Sequence, residues 1–175
     1  MSVTPSRAPE AEPPVPMREP ATIRAATAAD LAAIVKTLQR AFAEYDRRLE
    51  PQPGALRETG ATLRSRAVPH GAAVAVAGGH VIGCVLFERR GRELYLGRLA
   101  VVPEWRGRGI ARLLVEHVEH EARAAGAAAV TLNVRVALPE NITLFSRLGY
   151  HEVGRLAHKG FSDPTFLVMM KKTAG

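Results

Sequence analysis

The chain has 175 residues, 47% of them hydrophobic, and a formal charge of +7, which gives room for one domain with a sizeable core and too little for two ordinary ones. No window approaches the roughly 18–20 consecutive apolar residues of a membrane span, the N-terminus lacks the pattern of a secretory signal, and the single cysteine, Cys84, excludes an internal disulfide. A cytoplasmic protein with no membrane partner is expected.

Residues 1–20 carry Pro5, Pro9, Pro13, Pro14, Pro16 and Pro20 with little apolar periodicity, and read as a disordered tail ahead of a single domain over 21–175. A short strand is predicted around Ile23-Arg24. Asp30 then reads as a helix N-cap, followed by Leu31, Ile34, Val35, Leu38 and Phe42 at helical spacing. Pro51-Gln52-Pro53-Gly54 breaks the chain, and a second helix is predicted over 55–65. From His70 the pattern turns to strands: 73–77 and 81–89 flank the turn Gly78-Gly79-His80, and 93–102 ends at Pro103. A clear helix follows over about 109–125, its apolar face drawn as Ile110, Leu113, Leu114 and Val118, with Gly126 suited to its C-terminus. A buried-type strand over 127–136, a short helix over 139–148 ended by Gly149, and strands over 150–155 and 165–171 complete the chain. This order predicts an α/β (α+β) fold, a mixed sheet with flanking helices.

The chemistry concentrates where a strand runs through a loop into a helix, Leu99-Ala100-Val101-Val102-Pro103-Glu104-Trp105-Arg106-Gly107-Arg108-Gly109-Ile110-Ala111. The first turn of a helix has unsatisfied N–H groups and a partial positive charge. Glycines let that backbone approach a phosphate closely, and Arg106 and Arg108 can add charge-assisted hydrogen bonds. The loop therefore suits an anion, most naturally a pyrophosphate. It lacks the Gly-Lys-Ser/Thr ending of a nucleotide P-loop and the three-glycine dinucleotide fingerprint. The cluster Arg106, Arg108 and Arg112 suits a compact phosphorylated ligand better than a duplex. Few aromatics are present for base stacking, so no nucleic-acid partner is expected.

This stretch resembles motif A of the GCN5-related N-acetyltransferase (GNAT) superfamily, Arg/Gln-x-x-Gly-x-Gly/Ala, met by Arg106, Gly109 and Ala111. Leu99-Ala100-Val101-x-Pro103 ahead of it, and Leu144-Phe145-Ser146-Arg147-Leu148-Gly149-Tyr150 after it, are similar to segments of the same family. The resemblance implies a mostly antiparallel central sheet whose strands 94–101 and 128–134 splay apart at their C-terminal ends. It implies acetyl-CoA as co-substrate, its pyrophosphate on Arg106, Gly107, Arg108, Gly109, Ile110 and Ala111, and its pantetheine arm along Leu99, Ala100 and Val101. A primary amine of a small molecule or peptide would then attack the thioester directly, with the backbone N–H of Val101 or its neighbour as oxyanion donor and no metal. Homodimers paired through the C-terminal strands are common in the family.

Two departures stand out. Phe145 occupies the place of the family's usual general-acid tyrosine, and Leu138 that of its CoA-contacting asparagine. Water or Tyr150 are the alternative proton donors, with a core role for Tyr150 the competing reading. Asn141, one turn on, either contacts CoA or faces solvent. Phe145 also motivates a second function on the same fold, a non-catalytic acyl-CoA binding or sensing module. Glu44 and Asp46, at the end of the first helix, are candidates to meet a cationic amine, and Glu93 and Tyr95 to order a proton-accepting water. His117 reads as a packing residue on the apolar helix face. His120, His151 and His158 show no metal-ligand spacing.

Overall fold

A computed structural model describes residues 20–173, apart from the side chains of 67–70. The proline-rich tail read from the sequence, Pro20 apart, lies outside the described residues. In chain order the elements are β1 (Thr22–Ala25), α1 (Leu31–Phe42), α2 (Gly60–His70), β2 (Ala72–Ala77), β3 (His80–Arg90), β4 (Glu93–Val101), α3 (Ile110–Ala124), β5 (Ala129–Arg135), α4 (Pro139–Arg147), β6 (His151–Leu156) and β7 (Phe166–Lys172). The strands form one seven-stranded sheet, ordered β1-β2-β3-β4-β5-β7-β6. All neighbours are antiparallel except β4 and β5, which are parallel.

Helices cover both faces of the sheet. On one, Leu31, Ile34, Leu38 and Leu63 of α1 and α2 pack over Val74, Cys84 and Leu86. On the other, Ile110, Leu114, Val115 and Val118 of α3 pack over Val85, Leu94, Leu96 and Val130. Fully burying one such side chain contributes about 1.5–3 kcal/mol, so these two layers dominate stability. Cys84 belongs to the first layer, its thiol pushed up to about 12 by burial, and acts as a small hydrophobe. The β2–β3 hairpin turns on Gly78 and Gly79, both at positive φ (55° and 74°), as a tight turn of primed type requires. Among the described residues no helix is long and apolar enough to cross a membrane.

Two local expectations are corrected and a third is sharpened. The second helix does not start at residue 55: a 3-10 turn, Gly54–Arg57, comes first, and α2 begins at Gly60. Glu58 leaves the helical path (ψ 137°) because its buried carboxylate is drawn to Arg98 and Arg66. Thr59 and Thr62 then cap the new helix reciprocally, each hydroxyl accepting the other's backbone amide. Asp30 is the N-cap residue of α1, as read, but its side chain makes no cap bond to that helix. Its carboxylate reaches back to the Thr27 amide (2.8 Å) and takes a forked pair of bonds from Arg24 (2.8 Å each), which hold it well below the usual carboxylate range. Leu113 is 41% exposed, whereas Val115 and Ala122 are buried, so the apolar face of α3 lies further round the helix than the sequence reading placed it.

Two irregularities in β4 position the site. Arg98 and Leu99 together oppose Val85, because Gly97 pairs with Leu86 and Ala100 with Cys84. This is a β-bulge, and Arg98 sits in it at φ 53°. The extra residue reverses which face each side chain meets: Leu96 and Val101 both belong to the α3 layer, five positions apart, while Ala100 turns to the α1 layer. Parallel pairing of β4 with β5 then stops at Leu96 and Leu132, although β4 runs on to Val101 and β5 to Arg135. The strands splay as expected, and a cleft opens between them.

Candidate active site

The cleft is a cavity of about 820 Å³ reaching from the α3 loop, past the split strands, to the connection between α1 and α2. At the α3 end the wall is main chain. Gly107 (φ 71°) and Gly109 (φ 77°) put the backbone in the left-handed region, and an added Cβ at either would meet nothing within 4 Å. Glycine is therefore needed here for backbone conformation and not for space. The amide of Trp105 is taken by the Val102 carbonyl (2.9 Å) and that of Arg106 by Pro103 (3.2 Å). From Gly107 to Arg112 no amide has an acceptor among the described residues. These free donors, at the start of a 15-residue helix, form a nest for an anion.

The two motif arginines do different things. Arg106 turns inward: Nε donates to the Val101 carbonyl (3.1 Å), Nη2 to the Ala41 carbonyl (2.8 Å), and Nη1 pairs with Glu44. It ties the loop to β4 and to the end of α1, which leaves its backbone to line the cleft. Arg108 lies over the Trp105 ring, 4.8 Å from the centroid, and is outside the cleft wall. Leu99, Ala100, Val101, Gly107, Gly109, Ile110 and Ala111 all line it.

The exposed edge of β4 follows from strand alternation. Val102 donates its N–H to the Ile82 carbonyl (2.9 Å) on the β3 side. Neighbouring residues point their backbone groups to opposite edges, so the Val101 N–H faces the gap. Across the gap, on α4, Asn141 lines the cleft with its side-chain amide unpaired among the described residues. Phe145 also lines it, nearly buried and edge-on to Tyr150 (5.7 Å between centroids).

Tyr150 is corrected as a proton donor. It is 3% exposed and absent from the cleft wall, with Lys171 over its ring. Burial, then the nearby Glu119 carboxylate, raises its phenol far above the ordinary value. Lys171 holds Glu119 by two bonds (2.8 and 2.9 Å), and Tyr150 serves the core beside them. The phenols that do line the cleft are Tyr45 and Tyr95, both held protonated chiefly by burial.

The far end of the cleft is built from side chains. Phe42, Tyr45, residues 51–55 and Arg57 form one wall, Tyr95 and Gly97 of β4 and Asn133 and Arg135 of β5 form the floor, and His158 and Phe166 close the side. Glu44 and Asp46 are not free to meet an amine: Glu44 pairs with Arg106, and Asp46 accepts from Gln52 (2.7 Å). Glu93, at the outer end of β4, is not on the cleft wall. Arg98 donates its Nε to the buried Glu58 carboxylate (2.8 Å), which Arg66 (2.9 Å) and the Thr62 hydroxyl (2.7 Å) also hold. Burial works against that carboxylate, and the Thr62 and Arg98 hydrogen bonds outweigh it, so its pKa falls. Arg135 donates to the carbonyls of Glu50 and Pro51 and lies 3.4 Å from His158 Nδ1. Burial, then Arg135, lowers the pKa of His158. Because arginine only donates, the nitrogen facing it is the acceptor and the ring proton belongs on Nε2. The sequence reading did not single out Arg57, Arg98 or Arg135. Nothing local marks them, since they meet only through the bulge and the strand split.

A family model described as the acetyltransferase (GNAT) family matches residues 32–150. An IAA acetyltransferase of Azospirillum brasilense is 36% identical over 100 residues, which cover 56% of this chain and 65% of that protein, just under two thirds of its length. Among solved structures, the ribosomal-protein-S18-alanine N-acetyltransferase of Escherichia coli superposes with a TM-score of 0.71 at 23% identity, covering 89% of this chain and 95% of that one. The PaiA N-acetyltransferase of Thermoplasma acidophilum, in complex with coenzyme A, gives a TM-score of 0.71 at 16% identity, over 87% of this chain and 99% of that one. The family match spans the motif loop, the strand split and the cleft-lining helices α3 and α4, the same parts that the geometry singles out, and the chain belongs to the acetyltransferase (GNAT) family.

Proposed function

We propose that the protein transfers the acetyl group of acetyl-CoA to a primary amine of a small molecule or peptide. The observation that carries this is the run of unengaged amides from Gly107 to Arg112, set beside the split between β4 and β5. The amides receive the pyrophosphate, Leu99 to Val101 run beside the pantetheine arm, and Asn141 adds a polar contact from α4. The names of the relatives, acetyltransferases all and one of them in complex with coenzyme A, support the reading.

The neutral amine attacks the thioester carbonyl from the α1–α2 side, a C–N bond forms, and the oxyanion is met by the Val101 N–H. The C–S bond then breaks, CoA leaves as the thiolate, and the amine's second proton passes to water. Phe145 has no proton to give. A thiol of pKa about 8.5 leaving near pH 7 is opposed by about 1.5 units, roughly 2 kcal/mol, so the missing acid slows turnover without forbidding it.

Phe145 also favours a second reading, an acyl-CoA binding module without turnover. Following CoA release and acetylated product by mass across an amine panel separates the two. Turnover on any amine supports the enzyme; tight acetyl-CoA binding with no product from any amine supports the module.

A further inference from the structure

The far end of the cleft holds positive charge without enough negative charge to match it. Arg135 is half-buried, yet its hydrogen-bond partners are neutral: the carbonyls of Glu50 and Pro51 and, at 3.4 Å, the ring of His158. Among the described residues no carboxylate lies within ion-pair distance of it. Arg98 shares the single charge of Glu58 with Arg66. Only its Nε is used there, and neither terminal nitrogen has an acceptor among the described residues. The place of that guanidinium is kept by a glycine, since a Cβ on Gly54 would come within 2.8 Å of Nη2. Arg57 lines the same chamber and has no carboxylate partner among the described residues. A guanidinium taken partly out of water is costly unless an anion meets it.

We propose that the acceptor amine carries a carboxylate, and that Arg135, Arg98 and Arg57 receive it. This rests on the acetyl-transfer reading and names the substrate class for the same cleft. Arginine presents parallel N–H donors that match the two carboxylate oxygens. Placement agrees with the chemistry. Arg135 lies three residues beyond the last β4–β5 pair, about 10 Å further along β5. It stands on the α1–α2 face of the sheet, opposite the α3 face where the anion nest lies, since its neighbour Val134 packs into the α3 layer. An amine between Val101 and these arginines has its charged tail at the far end and its nitrogen at the gap. Glu140, on the cleft wall and without an ion partner among the described residues, complements the ammonium of an incoming zwitterion.

The test pairs each amino acid with its own carboxamide, for example β-alanine with β-alaninamide, and adds the phosphonate analogue 2-aminoethylphosphonate. We expect kcat/KM for the free acid to exceed that for the amide by at least about tenfold, as loss of a charge-assisted bond predicts. Arg57→Gln and Arg135→Gln should each bring that ratio towards one. Arg57 is exposed with no partner to lose among the described residues, so its variant reports even if the Arg135 variant folds poorly. Equal or better use of amides and simple alkylamines overturns the proposal, and preference for the phosphonate over every carboxylate overturns the carboxylate assignment. Calorimetry of the N-acetylated acids against their amides, with CoA present, reads the same preference without turnover. Carboxylate-selective binding with no acetylation anywhere would sink the transfer reading and leave the anion site standing. Acetylation without selectivity would do the reverse.

Discussion

At the α3 end of the cleft the unengaged groups are consecutive main-chain amides, from Gly107 to Arg112, with no acceptor among the described residues. At the far end the lining is side chains collected from the α1–α2 connection, β4, β5 and the β6–β7 loop. A backbone nest is specified by a few glycines and a helix start, so it tolerates change elsewhere in the chain. The side-chain chamber depends on a bulge, a strand split and a buried ion network being right together. On the function proposed above, the first end would take the co-substrate and the second would select the acceptor.

That difference can be broken from either side. Gly109→Val places a β-branched residue at φ 77°, where the loop has nothing within 4 Å to hold it and relaxes. Losing two charge-assisted bonds to the pyrophosphate, about 3 kcal/mol together, weakens acetyl-CoA binding about 100-fold by calorimetry, with the fold intact by circular dichroism. The next effect is pH: because the free acceptor must lose a proton with a pKa near 10, kcat/KM should rise about tenfold per unit between pH 6 and 8. A flat profile would show that chemistry is not limited by the neutral amine.

Glu58→Ala attacks the far end alone. Breaking a fully buried ion pair costs about 3–5 kcal/mol, and since Arg98 and Arg66 stay partly solvated we expect about 2 kcal/mol, read as a lower Tm. Acceptor KM should rise while the acetyl-CoA dissociation constant holds. Glu58 and Asp30 have folded pKa values below their unfolded ones, so their stabilisation is present above about pH 4 and is lost as pH falls through the folded values. The Glu58→Ala protein should lose less stability on acidification than the parent. Phe145→Tyr supplies a hydroxyl on the cleft wall and should raise kcat by up to about tenfold, most at low pH. Arg112→Ala, which removes an exposed pair with Glu116, should leave Tm unchanged.

Local signals made the α3 end legible. Arg106, Gly109 and Ala111 follow a strand and open a helix, and those spacings are visible in one short stretch. The same spacing misjudged Arg106, whose guanidinium is held by Ala41 and Glu44, more than 60 positions away. Helix and strand existence was readable from periodicity, whereas the start of α2 was not, because tertiary pull on Glu58 set it. Tyr150 sits next to a motif, which made it a candidate donor beside its competing core reading, and the structure puts it in the core just ahead of β6. Arg98 gave no warning at all: its left-handed backbone belongs to a bulge that only the β3 pairing reveals.

The central claim is that the free amides from Gly107 to Arg112 hold a diphosphate. Comparing acetyl-CoA with acetyl-pantetheine, which has the thioester arm and no pyrophosphate, in one calorimetric titration tests it directly. The account predicts binding at least about 100-fold weaker for acetyl-pantetheine, with the gap closing in Gly109→Val. Equal affinity for the two compounds, or no heat with acetyl-CoA, would contradict it.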